Sequence, residues 1–398
     1  MYKAKVNKYS NRDRILECIY RNPRISRKEI SELTGITPAT VTTTTAAMVK
    51  EGVIAELGQM EEDRGTIGRS RIALDICADY RCVVGVEFTV EAMTVCATDL
   101  HGRALYAERI PYVPQPNENT TVLVVELIRR CIENLSVPAE KIAGIGVAVP
   151  GHMDSSCRHL ISTNQFWRSF DGQAVQQAFS CPVVFENNVR CMALTQYLHH
   201  PQQAPASFAF FHIGRGMFCA NIADDELYIG TTYGSGEIAH TIAVPDGKRC
   251  ECGKRGCLQT VATESALLEN AAMIFDLHEN SLLRNFADRA EELTIDHIAA
   301  VYAMGEPEVR RMVHQALQYL AMSALNIAIL MNPEKLLIHS RLFNHETIRE
   351  DFMEMVHDRF GFTGNNYRLG TVDFLPCCQT DGAIGAASLA ILKCIIHA

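Results

Sequence analysis

Four potential metal ligands that lie close together in the sequence constrain the fold of this chain more than any other feature. They are His240, Cys250, Cys252 and Cys257. Three thiolates and one imidazole complete the tetrahedral coordination of a structural zinc ion (Zn2+) and leave no position open for a catalytic water. Gly253 and Gly256 allow so short a loop to fold its sulfur atoms around one ion. The pattern predicts a structural zinc site, with a cysteine-rich surface turn beside a histidine as the alternative.

The overall composition is typical of a globular protein of the cytoplasm. Hydrophobic residues make up 47% and charged residues 21% of the 398 residues, which favours two or three domains with ample cores. No apolar run reaches the roughly 18–20 residues that span a bilayer, and no apolar signal region follows the basic N-terminus. The 15 cysteines are irregularly spaced, as is usual in a reducing compartment. We expect a cytoplasmic location and no contact with a membrane.

Charge is unevenly distributed along the chain. Residues 1–50 contain ten Lys or Arg and four Asp or Glu, a net charge of +6, although the whole chain carries −9. A basic N-terminal part on an acidic body indicates that only this part contacts a polyanion. On charge alone, a solvated basic surface is an equally good interpretation.

Residues 1–76 show the order of elements found in a winged helix-turn-helix domain. An apolar stripe predicts a first helix at 11–21, which an Asn-Pro pair ends. A capping box that starts at Ser26 opens a second helix, in which we expect Ile30 and Leu33 to be buried. A glycine turn then leads to the third helix.

The third helix, from Thr37-Pro38 to about Lys50, is the predicted recognition helix in the DNA major groove. Its outward positions, which we expect to contact DNA, are Thr37, Ala39, Thr40, Thr42, Thr43 and Thr44. Its inner side is predicted to consist mainly of Val41, Ala46, Met48 and Val49. Threonine hydroxyls can bond phosphates or base edges, and their methyl groups suit the thymine methyl. A merely exposed helix face is the alternative, but poor helix formers are unusual on such a face.

The segment 56–71 is polar, basic and glycine-containing, and it lies between predicted strands at 53–57 and 71–75. Such a segment suits a wing that touches phosphate or the minor groove. Arg27, Arg69 and Arg71 complete the set of predicted DNA contacts. A plain interdomain linker is the alternative interpretation of the composition.

Beyond the N-terminal domain the pattern predicts an α/β architecture with two similar halves. The first set of predicted elements comprises strands at 82–88, 92–99, 104–112 and 142–149 and a helix at 120–135. The second set comprises strands at 208–213, 217–223, 226–229 and 335–338 and helices at 308–331 and 344–359. We place one lobe at 80–200, completed by a helix in 380–398, and the other at 205–379.

The stretch Gly236-Glu237-Ile238-Ala239-His240, followed by Cys-x-Cys-Gly-x-x-Gly-Cys-Leu, resembles the signature of the ROK family of sugar kinases and sugar-responsive repressors. The resemblance implies an actin-like domain of two ribonuclease-H-like lobes behind the winged helix-turn-helix. It also implies that the zinc site braces a loop that presents polar groups to a sugar. Gln259 stands where family members usually have glutamate, which removes a charge but keeps an acceptor.

The same resemblance implies a set of sugar-binding side chains. They are Asn164, Asn187, Asn188, Glu237, His240 and Gln259. His240 would use one ring nitrogen for the sugar and the other for zinc.

The residues that distinguish a kinase from a binding protein favour the binding protein. At Glu87–Glu91 the sequence Glu-Phe-Thr-Val-Glu replaces the kinases' Asp-x-Gly-Gly-Thr turn, whose amides cradle phosphate. Asn188 replaces the aspartate that acts as general base, and an amide cannot accept that proton. Met217 and Phe218 replace glycines in the second phosphate loop, and His339-Ser340 replaces a Gly-Gly pair near adenosine. We therefore expect no enzymatic activity.

These observations together predict a sugar-responsive transcriptional repressor of carbohydrate uptake or catabolism genes. Its predicted partners are double-stranded operator DNA, a sugar or sugar-phosphate effector, and further copies of the chain in a homodimer or tetramer. The alternatives are a ROK sugar kinase and a repressor controlled by a protein partner.

Overall fold

The chain divides into two compact units in a computed structural model, which describes residues 8–59, 71–115, 118–154, 156–162, 165–359 and 371–398. Unit 1 comprises Met1–Gln203 and Gln379–Ala398, and unit 2 comprises Ala204–Cys378. Unit 2 is therefore an insertion between two parts of unit 1.

The N-terminal part of unit 1, described at residues 8–59 and 71–76, forms a winged helix-turn-helix domain that we call the head. Its elements are α1 (Asn11–Arg21), β1 (Ile25–Ser26), α2 (Arg27–Thr34), α3 (Pro38–Glu51), β2 (Ile54–Gln59) and β3 (Ile72–Ile76). The strands form an antiparallel sheet in the order β1-β3-β2. Ser26 caps α2 in the predicted capping box, and Gly35 ends α2 in the left-handed conformation. The predicted fold of this domain is confirmed.

Two burial predictions for the head are wrong. Leu33, expected in the core, is 64% exposed, and Ile36 in the following turn is buried instead. Ala46, expected on the inner side of α3, is exposed, whereas Thr45 is fully buried. The buried side chains of α3 follow a spacing of four and three residues from Val41, and Ala46 lies off that stripe.

The lobe of unit 1 contains a five-stranded mixed sheet. Its elements up to the insertion are β4 (Cys82–Phe88), β5 (Ala92–Thr98), β6 (Ala104–Pro111), α4 (Thr120–Glu133), β7 (Ile142–Val149), β8 (His152–Met153), β9 (Leu160–Ile161), α5 (Gly172–Gln177), β10 (Val183–Asn187) and α6 (Asn188–His199). The order is β10-β7-β4-β5-β6. The strands β10, β7 and β4 are parallel to one another. The strand β5 pairs antiparallel with β4, and β6 pairs antiparallel with β5.

Unit 2 repeats this topology. Its elements are β11 (Phe208–Ile213), β12 (Met217–Ala223), β13 (Glu226–Tyr228), α7 (Gln259–Ala262), α8 (Glu264–Leu277), α9 (Ile295–Met304), α10 (Pro307–Met331), β14 (Lys335–His339), α11 (Glu346–Arg359) and β15 (Thr371–Leu375). The sheet order is β13-β12-β11-β14-β15, with β11, β14 and β15 parallel. In each unit the first strand thus has its hairpin partner on one side and the fourth strand on the other, which confirms the predicted duplication.

The last helix, α12 (Asp381–Ile391), returns to unit 1 and continues in a π-helical turn at Leu392–Ile396. It packs directly on the sheet, because two strands present glycine to it. A Cβ atom at Gly85 or Gly146 would clash with a backbone carbonyl oxygen of α12. The small residues of α12 therefore serve close packing on β4 and β7.

One helix among the described residues, α10, is long and apolar enough to cross a membrane by length and composition. Its inner side chains belong to the hydrophobic core of unit 2, among them Val313, Leu317, Leu320 and Ile327. This packing is that of a core helix.

The head and the lobe of unit 1 share a buried contact. The Tyr20 hydroxyl of α1 donates to the Leu100 carbonyl oxygen at 2.6 Å, and its ring packs edge-on against His199. Burial, together with the nearby His200 and His101, lowers the pKa of His199 to about 4. Neutral His199 is therefore part of the contact surface.

Unit 1 is expected to lose about 2 kcal/mol of unfolding free energy between pH 7.5 and pH 5 because of His199. Its pKa in the fold is about 4, below the ordinary 6.5, so the unfolded chain binds the proton more tightly. The contribution of neutral His199 to stability is fully present above pH 6.5 and is lost as the pH falls from 6.5 towards 4. Fluorescence of Trp167, the one tryptophan of the chain, reports unfolding of unit 1. An equally steep pH dependence in His199→Gln would contradict this assignment.

Candidate functional site

The predicted metal ligands converge in unit 2. One ligand atom from each of His240, Cys250, Cys252 and Cys257 can be chosen so that all lie within 4.8 Å of one another. Cys250 Sγ lies 3.6 Å from His240 Nδ1, and Cys252 Sγ lies 3.6 Å from Cys257 Sγ. Tetrahedral geometry with Zn–S bonds of about 2.3 Å requires sulfur atoms about 3.8 Å apart. The donor set and its spacing therefore fit zinc.

Electrostatics in this cluster also favour a bound cation. Burial and the neighbouring Cys252 and Cys250 thiols raise the pKa of Cys257 well above its ordinary value. The Lys254 amide, by contrast, lowers the pKa of Cys252. Three thiolates this close repel one another, so a divalent ion at their centre would stabilise all three.

The predicted sugar-binding residues of unit 2 lie around the metal cluster. His240 turns Nδ1 towards Cys250, and its Nε2 lies 3.9 Å from a Glu237 carboxylate oxygen. This orientation leaves Nε2 on the side away from the sulfur atoms, as a dual role requires. Gln259 begins α7, and its amide nitrogen donates to Glu251 at 3.0 Å.

Asn187 and Asn188 lie at the junction of β10 and α6 in unit 1. Asn187 caps α6: its Oδ1 accepts from the Val189 and Arg190 amides, and its Nδ2 donates to the Gly151 carbonyl oxygen at 3.3 Å. Much of its hydrogen-bonding capacity is thus used within the fold. Asn164, the remaining predicted sugar ligand, lies outside the described residues.

A buried carboxylate of unit 1 lies against the first turn of α12. Glu87, at the end of β4, is 8% exposed, and Asn188 Nδ2 donates to its Oε1 at 3.2 Å. The carboxyl group lies directly over Gly382 in the first turn of α12, where a Cβ atom would clash with it. The positive end of this helix, which attracts anions, therefore already faces an internal negative charge.

The turn after β4 also uses its own backbone donors. The amides of Glu91 and Ala92 both donate to the Thr89 hydroxyl at 3.2 Å, and the Thr89 amide donates to the Ala92 carbonyl oxygen at 2.9 Å. These amides are consequently not free to cradle a phosphate. The absence of the glycines is visible in the sequence, whereas the role of the Thr89 hydroxyl as acceptor for these amides is visible only in the structure.

A histidine pair lies at the predicted adenosine-bordering residue His339 in unit 2. The Nδ1 atoms of His212 and His339 lie 2.8 Å apart, so one ring donates and the other accepts. Burial and the neighbouring His339 lower the pKa of His212 to about 3, which keeps His212 neutral. Ser340 beside it is fully buried. His339-Ser340 stood out in the sequence and His212 did not, since only the pairing of β11 with β14 brings the two rings together.

The recognition helix presents most of its predicted DNA contacts to solvent. Four of them are exposed and two, Thr40 and Thr44, are partly buried; the exposed ones are Thr37, Ala39, Thr42 and Thr43. The Thr42 and Thr43 hydroxyls donate to carbonyl oxygens one turn earlier, which turns lone pairs and methyl groups outwards.

Arg27 and Arg71, two of the predicted DNA contacts, already interact with other side chains of the head. Arg27 donates to Thr45 at 2.8 Å and forms an ion pair with Glu56 at 2.7 Å, and so connects α2 with α3 and β2. Arg71 lies 3.9 Å from Glu29. Arg69 lies outside the described residues.

Two family models match the chain. The model described as "ROK family" matches residues 83–393, and one described as "Winged helix-turn-helix DNA-binding" matches residues 11–55. The xylose repressor of Bacillus subtilis (strain 168) is 24% identical over 386 residues, 96% of this chain and 94% of the relative. The DNA-binding transcriptional dual regulator NagC of Escherichia coli (strain K12) is 24% identical over 320 residues, 79% of this chain and 76% of the relative.

Two solved structures show the same fold over different lengths. A ROK family transcriptional regulator, described as a homolog of the E. coli MLC protein, has a TM-score of 0.76 at 21% identity and covers 97% of each chain. A ROK family glucokinase from Streptomyces griseus, in complex with glucose and AMPPNP, has a TM-score of 0.64 at 21% identity. It covers 77% of this chain and 98% of its own. The regulator structure thus matches almost the full length of the chain, and the glucokinase structure matches about three quarters of it.

Proposed function

The chain belongs to the ROK family, and from this premise we propose that it is a sugar-responsive, DNA-binding repressor of genes for carbohydrate uptake or catabolism. It acts in the cytoplasm and performs no phosphoryl transfer. The curated relatives that match it over most of their length carry the names xylose repressor and N-acetylglucosamine repressor. A winged helix-turn-helix head supplies the means of binding DNA.

The observation that carries this proposal is the hydrogen bond from Asn188, which stands at the predicted general-base position, to Glu87. Glu87 places a buried carboxylate at the N-terminus of α12, and Asn188 bonds to it instead of acting as a base. The sugar hydroxyl would find no proton acceptor at Asn188. The Glu91 and Ala92 amides already donate to the Thr89 hydroxyl and would not be available to a phosphate. The polar side chains proposed as effector contacts can bind a sugar without phosphorylating it.

In this proposal the head binds operator DNA through α3 and the wing. The proposed contacts are Arg27, Thr37, Ala39, Thr40, Thr42, Thr43, Thr44, Arg69 and Arg71. The effector is a sugar or sugar phosphate, with xylose and N-acetylglucosamine as the first candidates from the names of the relatives. The proposed effector contacts are Asn164, Asn187, Asn188, Glu237, His240 and Gln259. His240 and the three cysteines hold a structural zinc ion.

We further propose that the protein works as a homodimer or a tetramer. The outer side of α10 supports self-association, since Met322 and Ile329 are seven residues apart and exposed, and Leu330 beside them is 82% exposed. Paired heads would bind two half-sites about 34–36 Å apart. Ile329→Glu is expected to convert the wild-type oligomer to a monomer in sedimentation velocity, whereas Met304→Glu, an exposed methionine on α9, leaves it unchanged. Equal sedimentation of wild type and Ile329→Glu would contradict this interface.

A gel-shift experiment with genomic fragments tests the function directly. We expect a sequence-selective complex whose affinity changes when xylose, N-acetylglucosamine or their phosphates are added. Thr42→Ala and Thr43→Ala are each expected to weaken operator binding by about 1–3 kcal/mol, because these side chains face outwards. Failure of the wild type to bind any fragment selectively, or turnover of ATP on any of the sugars, would refute the proposal.

Restoring the acidic residue at position 188 is expected to destabilise the protein without creating a kinase. In Asn188→Asp a carboxylate would face Glu87 across the present 3.2 Å hydrogen bond. We expect a loss of about 1–3 kcal/mol of unfolding free energy at pH 8, measured by Trp167 fluorescence. The difference from wild type should shrink at pH 5, where one carboxyl group takes up a proton and can donate to the other. Measurable ATP-dependent sugar phosphorylation by Asn188→Asp would contradict this account of the site.

A further inference from the structure

The helix α6 connects the proposed effector site to the head. It begins at Asn188, directly after the capping Asn187, and ends at His199. Twelve residues at about 1.5 Å each give a length of about 18 Å. Eight of its residues are buried, so it is held on several sides. A displacement at its first turn is therefore carried to its last turn by a rigid element.

The far end of α6 contacts α1 of the head through Tyr197. The Tyr197 hydroxyl donates to Glu17 Oε1 at 2.8 Å. The Arg21 guanidinium, one turn further along α1, lies over the Tyr197 ring at 4.2 Å from its centroid. Tyr197 is 2% exposed, so this bond is shielded from water and more sensitive to position than an exposed one.

The second oxygen of Glu17 is held by the segment after α12. His397 Nε2 lies 3.2 Å from Glu17 Oε2, and the His397 ring stacks on Tyr9, with 3.8 Å between centroids. The helix α12 starts under the Glu87 carboxylate and packs along α6, where Thr195 bonds to Ser388 at 3.1 Å. Both helices begin beside the Glu87 carboxylate, and both lead to the same carboxylate of the head, Glu17.

We propose that Glu17 is the coupling residue through which α6 and α12 transmit effector binding to the DNA-binding head. This inference rests on the proposed function and assigns its route of regulation. Effector contacts at Asn187 and Asn188 shift the first turn of α6, and the Tyr197 hydroxyl carries the shift to Glu17. Tyr197 and His397 act as positioning residues, because both bond to Glu17 and neither is among the proposed DNA or effector contacts.

Tyr197→Phe tests the route because it removes the hydroxyl and keeps the ring under Arg21. We expect operator affinity without sugar to stay within about threefold of wild type, and sugar affinity measured by calorimetry to be unchanged. Allosteric couplings are typically about 5- to 150-fold in affinity, and in Tyr197→Phe we expect the sugar-induced change to fall below about threefold. His397→Gln is expected to reduce the sugar-induced change in the same direction.

Tyr106→Phe is the matched control. Its hydroxyl also donates to a glutamate of unit 1, Glu108, at 3.0 Å, but on β6 of the lobe sheet. We expect the wild-type sugar response in this variant. A full sugar response in both Tyr197→Phe and His397→Gln would overturn the coupling proposal alone. A wild-type protein whose operator binding no sugar alters would instead refute the proposed function, and the coupling with it.

Discussion

Cys257→Ala is expected to abolish zinc binding and to lower the unfolding free energy of unit 2 by at least about 3 kcal/mol, the largest effect that we expect of a single substitution. Structural zinc contributes roughly 10 kcal/mol or more of apparent binding free energy in small zinc domains. Cys257 is fully buried within the ligand cluster, so its loss removes one ligand and leaves the others without a complete coordination shell.

The structure offers a matched control for this substitution. Cys219 is also a buried cysteine of unit 2, on β12, but it is not among the clustered ligands. Cys219→Ala should cost about 1 kcal/mol, the loss of a small packed side chain. Zinc content by elemental analysis and hydrogen exchange in unit 2 measure the two effects. A wild-type protein that folds with less than half an equivalent of zinc would disprove the structural role of the metal.

Gly146→Ala is expected to lower the unfolding free energy of unit 1 by about 3 kcal/mol. The added methyl group would lie within bonding distance of the Ala386 backbone, which cannot rotate away as a side chain can. The helix α12 must move off β7, and its displacement opens the core along the strand. Trp167 fluorescence during urea unfolding measures the change.

Gly216→Ala provides the comparison, because a Cβ atom at Gly216 meets no atom within 4 Å. This variant should keep the wild-type stability to within about 0.5 kcal/mol. Equal stabilities of Gly146→Ala and Gly216→Ala would show that the contact between α12 and the sheet is not tight. Because α12 carries Gly382 and leads to His397, we also expect Gly146→Ala to weaken the sugar response.

The secondary structure of both units could be predicted largely from local signals. Apolar runs mark the buried strands, and the capping box and Pro-containing helix starts mark α2 and α3. The errors at Leu33 and Ala46 arise where a short helix leaves little periodicity to read and where tertiary packing selects the buried stripe. Burial depends on which neighbours cover a side chain, and these neighbours come from distant parts of the chain.

The candidate sites were predictable where their residues are adjacent in sequence. The four metal ligands lie within one short segment, and the structure brings them together. By contrast, His212 pairs with His339 across 127 positions, and Tyr197 meets Glu17 across 180. Asn187 was predicted as a sugar ligand, whereas its role as the cap of α6 appears only once the strand-to-helix junction is formed. Residue type alone does not distinguish a cap from a ligand.

The insertion of unit 2 between β10-α6 and α12 has a consequence for synthesis on the ribosome. Unit 2 is one continuous stretch, so its sheet can assemble as soon as Cys378 has emerged. The lobe of unit 1 cannot cover the face of its sheet until α12 has followed. A chain that stops within unit 2 would therefore have a head that α12 and His397 do not contact. We expect such nascent or truncated products to bind operators without responding to the sugar effector.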